Sequence, residues 1–128
     1  MLYEIHNGTQ KLRRAIDEAM TFVIKHLNLP EDTWVDVEFI SKGSAGGCID
    51  TEDGTFLVEI NRKQSLDEIV ATLFHEMKHV EQTATGKLDQ LMWEGVDYTG
   101  TPYYDRPWER EAYAFEEQLT TWYRNALT

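Results

Sequence analysis

The run from Ser65 to Gly86 constrains this chain more than any other segment. Ser65-Leu66-Asp67-Glu68 has the form of a capping box, a serine N-cap with a glutamate three residues on. Leu66, Ile69, Val70, Leu73, Met77 and Val80 then recur at the spacing of a single buried stripe. Gly86 supplies a stop. The pattern predicts one long amphipathic helix, and inside it stands His75-Glu76-Met77-Lys78-His79. At about 100° per residue the two histidines fall on one face, a turn apart and nearly opposite the stripe. Two imidazoles so placed can grip one metal ion, and Glu76 can reach a water on that metal.

A catalytic zinc ordinarily takes three protein ligands and keeps one position open. The chain must therefore supply a third. His26 falls near the end of a first helix, where a cation suits the macrodipole. His6 precedes that helix in a segment expected to be mobile. The better source is the stretch from Arg106 to Glu116. Pro107 marks a helix start and Asp105 stands where a cap would be. Trp108, Ala112, Phe115, Leu119 and Trp122 form an apolar stripe, with Glu109 and Glu116 on one flank and Glu111 on the other. Spacing alone leaves these three glutamates open as ligands, against the usual fate of a glutamate as a solvated helix charge.

His75-Glu76-x-x-His79, followed by Pro107-Trp108-Glu109-Arg110-Glu111-Ala112-Tyr113, resembles the gluzincin class of zinc metallopeptidases. The small size is similar to the minigluzincins, and Glu109-x-x-Ala112 resembles the E-x-x-A start found in ImmA/IrrE-like peptidases. The resemblance covers the two helices and their connection, about half the chain. It implies a zincin-like fold, one Zn2+ per chain held by His75, His79 and Glu109, and hydrolysis of peptide bonds. Glu76 would act as general base on the attacking water and return the proton to the leaving amine. An acidic or amide residue is expected four positions after the third ligand, where it orients a ligand histidine. This chain has Tyr113 there, and Tyr113 is taken into the catalytic set in that place. The oxyanion donor is open among Tyr98, Tyr103, Tyr104 and Tyr113, each of which is more often a packing aromatic.

The remaining pattern places these helices in an α+β domain spanning residues 1–128. Thr9 to about Asn28 reads as an amphipathic helix with Leu12, Ile16, Ala19, Phe22, Val23 and Leu27 inward, ended by Pro30. Trp34 to Ile40 alternates as a strand. Gly46 to Thr51 and Thr55 to Asn61 flank a turn at Glu52-Asp53-Gly54. The expected order is an N-terminal helix, a small twisted sheet of about three strands, the His75 helix, a connection and the C-terminal helix with the third ligand. Leu91 to Thr101 would add a short hairpin near the site. Zincin-like enzymes, by resemblance, bind extended peptide along a sheet edge. Which strand serves is not readable here.

Composition narrows the partners. With 23 acidic and 12 basic residues the net charge is −11, a field that repels phosphate backbones and anionic membranes. A peptide or protein substrate is expected, and neither nucleic acid nor membrane. No stretch approaches the ~20 apolar residues of a membrane span. Met1 to Gln10 has no apolar run behind a basic start, and Cys48 is the single cysteine, so a cytoplasmic location is expected.

Two rival readings compete. Gly46-Gly47-Cys48-Ile49-Asp50 faintly resembles the E-G-C-L-S motif of peptide deformylases, which would make Cys48 the third ligand. The glutamate and serine of that motif are absent, and a lone cysteine in a hairpin is more often a small buried hydrophobe. Alternatively, the chain is a silent zinc-binding regulatory module, since fold and motif do not guarantee turnover. A tail from Leu119 to Thr128 is the segment that would block the cleft of a latent enzyme.

Overall fold

The computed structural model describes residues 1–51 and 53–127. Its main sheet has four strands rather than three: β1 (Leu2–Ile5), β2 (Trp34–Ile40), β3 (Gly46–Asp50) and β4 (Thr55–Asn61). The spatial order is β1-β2-β4-β3, with β1, β2 and β4 parallel and β3 antiparallel on the edge beside β4. Helix α1 (Gln10–Ile24) carries the chain from β1 across to β2, and α2 (Leu66–Ala84) follows β4. Strand alternation sets the layers. Val35, Val37 and Phe39 of β2, with Phe56, Val58 and Ile60 of β4, all face one side and are buried there. They meet Ile16, Met20 and Val23 of α1 and Ile69, Leu73, Phe74, Met77 and Val80 of α2 in one core.

The N-terminal segment, expected to be mobile, is instead strand β1. Its four residues are too few to show a convincing alternation, and its pairing with β2 is entirely non-local. Asn7 secures its end: Nδ2 donates to Phe39 O at 2.9 Å and Oδ1 accepts from Phe39 N at 2.7 Å. His6 lies beside this lock and bonds Asp36 at 2.7 Å. Gly8 then turns at φ +96°, against the Phe39 ring, where a Cβ would approach to 2.6 Å.

Helix α1 stops at Ile24, short of Asn28, and Lys25 is its C-cap. His26 lies just beyond, with its ring 4.8 Å from that of Phe22 and 5.5 Å from that of Trp122. The expected capping box of α2 is complete: Ser65 Oγ accepts from Glu68 N, and a Glu68 carboxylate oxygen accepts from Ser65 N. Glu52 of the expected hairpin turn lies outside the described residues.

In the segment after α2, the short hairpin expected within Leu91 to Thr101 is present as β6 (Met92–Trp93) and β7 (Val96–Asp97), and β5 (Leu88–Asp89) adds a third two-residue strand beside β6. The tight turns of this segment place Gln90 and Glu94 at φ +54° and +51°. A 3-10 turn (Tyr103–Asp105) leads into α3 (Pro107–Leu127). Asp105 sits in that turn, 3.5 Å from Arg110. The buried stripe of α3 is Trp108, Ala112, Leu119 and Tyr123. Trp122, expected in it, is 46% exposed at the boundary beside His26, because the α1–α2 groove admits the neighbouring Tyr123 ring. Among the described residues no helix is long and apolar enough to cross a membrane.

The Asn7 lock yields the first test. Asn7→Ala leaves a part-buried backbone N–H and C=O of Phe39 without their partners, and should cost about 1–3 kcal/mol in urea unfolding. An unchanged unfolding midpoint would show that the Asn7 bonds contribute nothing to stability.

Candidate metal centre

Helix α2 presents His75 and His79 toward the first turn of α3, and there the two helices meet Glu109. His75 Nε2 and His79 Nε2 lie 3.0 and 3.1 Å from the same Glu109 Oε1, and 3.2 Å from each other. Three potential donor atoms thus mark out a small triangle. Metal–ligand bonds of about 2.0–2.1 Å in a tetrahedral shell place neighbouring donors about 3.3 Å apart, close to these separations.

The surrounding hydrogen bonds decide where the imidazole protons sit. Gln82 is buried, and its Nε2 donates to Trp108 O at 3.0 Å and to Glu111 Oε1 at 3.1 Å. Both partners can only accept, so the amide orientation is fixed. Gln82 Oε1 therefore faces His79 Nδ1, at 2.8 Å, and that nitrogen must carry hydrogen. His75 Nδ1 lies 3.1 Å from Glu116 Oε1, bent off the line of a good hydrogen bond. A carboxylate there again favours the Nδ1–H tautomer. In their neutral forms both rings then turn Nε2 lone pairs toward the Glu109 carboxylate. Donor atoms converging in a buried place call for positive charge between them, supplied by a metal ion or by a proton on His75. His75, His79 and Glu109 form a metal-capable triad.

The electrostatics fit that reading. Burial alone would lower the His75 pKa, but Glu109 and Glu116 outweigh it and lift it to about 9. Burial would raise Glu109, yet the hydrogen bonds from His75 and His79 draw it down to about 2. A proton on His75 thus satisfies the site when no metal does. Burial pushes the Glu76 pKa up, partly opposed by His79 and His75. That favours a carboxylate able to accept and return a proton.

The other predicted residues find distinct places. Glu111 does not meet the histidines; it accepts from Gln82 and takes Lys87 Nζ at 2.8 Å. Tyr113 stacks its ring 4.3 Å from that of His75, and its hydroxyl lies 3.4 Å from the Tyr103 hydroxyl. The carboxylate that holds the far nitrogen of His75 comes from Glu116. It stands seven residues after Glu109 rather than four, still on the same helix face. Among the four candidate tyrosines, Tyr103 has its pKa raised by burial, by the Tyr113 hydroxyl and by the nearby Glu109 charge. Tyr98 packs edge-on against Trp108, a structural role. Sequence reading missed Gln82, whose one signal is its place three residues after His79 inside the helix.

Cys48 is not one of the metal-capable group. Its thiol is held protonated, its pKa pushed up by burial and by Glu76. A separate set, Glu4, His6 and Asp36, lies together on the outer face of the sheet, more open to solvent.

Edge strand β3 forms the other wall. A Cβ at Gly46 would meet Thr72 Cγ2 at 2.5 Å, Glu59 O at 2.8 Å and Glu76 Oε2 at 3.4 Å. Glycine is what lets this strand lie against α2 beside Glu76. A cleft of about 550 Å³ opens on one side of the centre, between Ser44–Gly46, α2, Tyr103, Tyr104, Tyr113 and Glu116. A second, of about 290 Å³, continues past Gly47, Cys48 and Asp50 toward His79 and Glu109. No described residue beyond Glu116 lines either cleft. The segment from Leu119 that a latent enzyme would use as a block runs, as far as Leu127, as part of helix α3 along the core; Thr128 lies outside the described residues.

No family model matches the chain, and neither a curated protein nor a solved structure matches it.

The geometry predicts that the shell around the triad governs metal affinity. Gln82→Leu and Glu116→Leu should each weaken binding about 10–100-fold in a chelator competition. Cys48→Ser should leave it unchanged. Loss of metal in the serine variant, with retention in the other two, would move the third ligand to Cys48.

Proposed function

We propose that this chain is a zinc-dependent metallopeptidase of gluzincin type with a zincin-like fold. His75, His79 and Glu109 hold the metal, and Glu76 is the general base. One observation carries the reading: two imidazole nitrogens and a carboxylate oxygen converge within 3.2 Å of one another beside a cleft, with the buried Glu76 carboxylate lining it. Two imidazoles and a carboxylate are a donor set suited to zinc, and bound zinc supplies Lewis acidity and a water acidified toward neutrality.

The chain's own groups do the rest. Glu76 takes the proton of the attacking water on its carboxylate and passes it to the leaving nitrogen. Its raised pKa suits both halves of that task. Gln82 and Glu116 keep the two imidazoles in the tautomer that binds metal. Tyr103, whose side chain borders both clefts, offers a hydroxyl hydrogen near the charge that develops on the carbonyl oxygen. Tyr113 is a positioning residue that packs the His75 ring and meets the Tyr103 hydroxyl.

Substrate binding is read from the sheet edge. Asn61 N donates to Ala45 O, and Thr51 N to Thr55 O. By the alternation of an antiparallel ladder, the intervening Gly46, Cys48 and Asp50 turn their backbone groups away from β4. That edge faces both clefts. A peptide laid along it in extended form passes over Glu76, with main-chain bonds fixing its register.

Elemental analysis after dialysis should find about one zinc per chain in the wild type, lost in Glu109→Ala. Glu76→Gln should keep zinc and fold while cleavage of a generic unfolded protein falls by at least about a thousandfold. Equal cleavage by the Glu76→Gln protein and the wild type would overturn the mechanism. Zinc bound with no cleavage of any peptide would leave a silent metal-binding module.

A further inference from the structure

The larger cleft has a chemical character that peptide hydrolysis does not require. Its charged lining residues are Glu68, Glu76 and Glu116 with His75; among the described residues no lysine or arginine borders it. A zinc ion would balance Glu76 and Glu109, leaving Glu68 and Glu116 as net negative charge on this side. Three tyrosines line the same cleft. Tyr103 is edge-on to Tyr104, with ring centres 5.0 Å apart, and edge-on to Tyr113 at 6.5 Å. Tyr104 and Tyr113 lie more nearly parallel, 30° apart, with centres separated by 6.2 Å. The rings form an aromatic corner at the cleft mouth. They are exposed: 42% for Tyr103, 74% for Tyr104 and 40% for Tyr113. Clustered exposed aromatics bordering a cleft mark a contact surface more often than a packing accident. Arg106 lies 6.0 Å from the Tyr103 ring centre but does not line the cleft.

Resting on the peptidase reading, we infer that this cleft binds a cationic side chain, lysine or arginine, of the substrate next to the scissile bond. Aromatic faces attract a cation through their quadrupole, and the low-dielectric walls strengthen the pull of the carboxylates. An acidic side chain would meet like charge there. Glu68 is the acid left for recognition: it reads the cap of α2 through one oxygen, whereas Glu116 is committed to His75 and Glu76 to the proton. The same chemistry could come from a free peptide N-terminus, which the test separates.

The test uses N-acetylated fluorogenic peptides that differ at one position on either side of the scissile bond, with lysine, norleucine or glutamate. Wild-type zinc protein should cleave the lysine peptide about tenfold or more faster in kcat/KM than the norleucine peptide, and the glutamate peptide slowest. In Glu68→Gln/Tyr104→Ala the lysine advantage should fall to near parity while norleucine turnover persists. The glutamine can still close the capping box, so the helix start is retained. Equal cleavage of lysine and norleucine peptides by the wild type overturns the inference but not the peptidase. A preference seen only with free N-termini also overturns it, in favour of the α-amine. Binding to the Glu76→Gln protein, followed by fluorescence anisotropy, separates the remaining cases. Selective capture of the lysine peptide with no cleavage by the wild type sinks the peptidase reading and keeps the cation site. Neither capture nor cleavage removes both.

Discussion

The structure turns on one buried carboxylate. Glu109 is 7% exposed, and a carboxylate taken that far out of water must be paired or coordinated. Its partners are the two imidazoles of α2, which offer protons when charged and lone pairs when neutral. The contact joins the middle of α2 to the first turn of α3. It fixes how the two helices sit against each other at the end where Trp108 and the small β5–β7 sheet close the core. Around it four further side chains hold these in place. Gln82 settles the tautomer of His79, Glu116 that of His75, and Glu111 with Lys87 anchors Gln82 from behind. An ordinary helix interface would bury leucines there. A polar network this connected is stable only when every member is satisfied, and the converging donors are satisfied by a proton on His75 or by a metal ion.

Most of what could be read from sequence was local. A capping box, a stripe at helical spacing and two histidines one turn apart are all properties of a single helix, and residues 65–86 carry them within one stretch. Strands β2, β3 and β4 were legible for the same reason, through alternation and a turn between neighbours. Strand β1 was not, because four residues cannot display a period and its identity depends on β2, some thirty positions away. Helical spacing pointed to Trp122 as the last buried residue of α3, and Tyr123 takes that place. Which one enters depends on the groove beside Phe22 and Phe74, where the Tyr123 ring fits at 5.0 and 5.6 Å from those rings.

The candidate site shows the same division. His75, Glu76 and His79 announced themselves, and Glu109 followed from a resemblance rather than from spacing. The supporting residue was assigned to Tyr113 because the pattern looks four positions past the ligand. In this chain the tyrosine ring occupies the space against the His75 face, so the carboxylate function moves one turn onward to Glu116. Positions four and seven after Glu109 share its face of the helix. A glutamate side chain from the farther one reaches back far enough to meet Nδ1. Gln82 had no partner visible in the sequence, since its bonds run to residues 26 and 29 positions away.

The chain's acidity takes on meaning when set against this centre. Carboxylates gathered near a buried site repel one another, and a net charge of −11 adds to that repulsion. Both clefts are lined by acids and lack a bordering lysine or arginine, so the chain does not neutralise them from within. Such a site is costly unless cations come to it. A divalent metal at the triad would remove the largest part of that repulsion, at the point where two imidazole nitrogens and a carboxylate oxygen already converge. Negative potential would remain in the larger cleft, which three tyrosines also line. In the proposed peptidase the sign of the field that would draw the metal would also be the sign that selects among peptides, so that one arrangement of charge would both stabilise the site and bias what it binds.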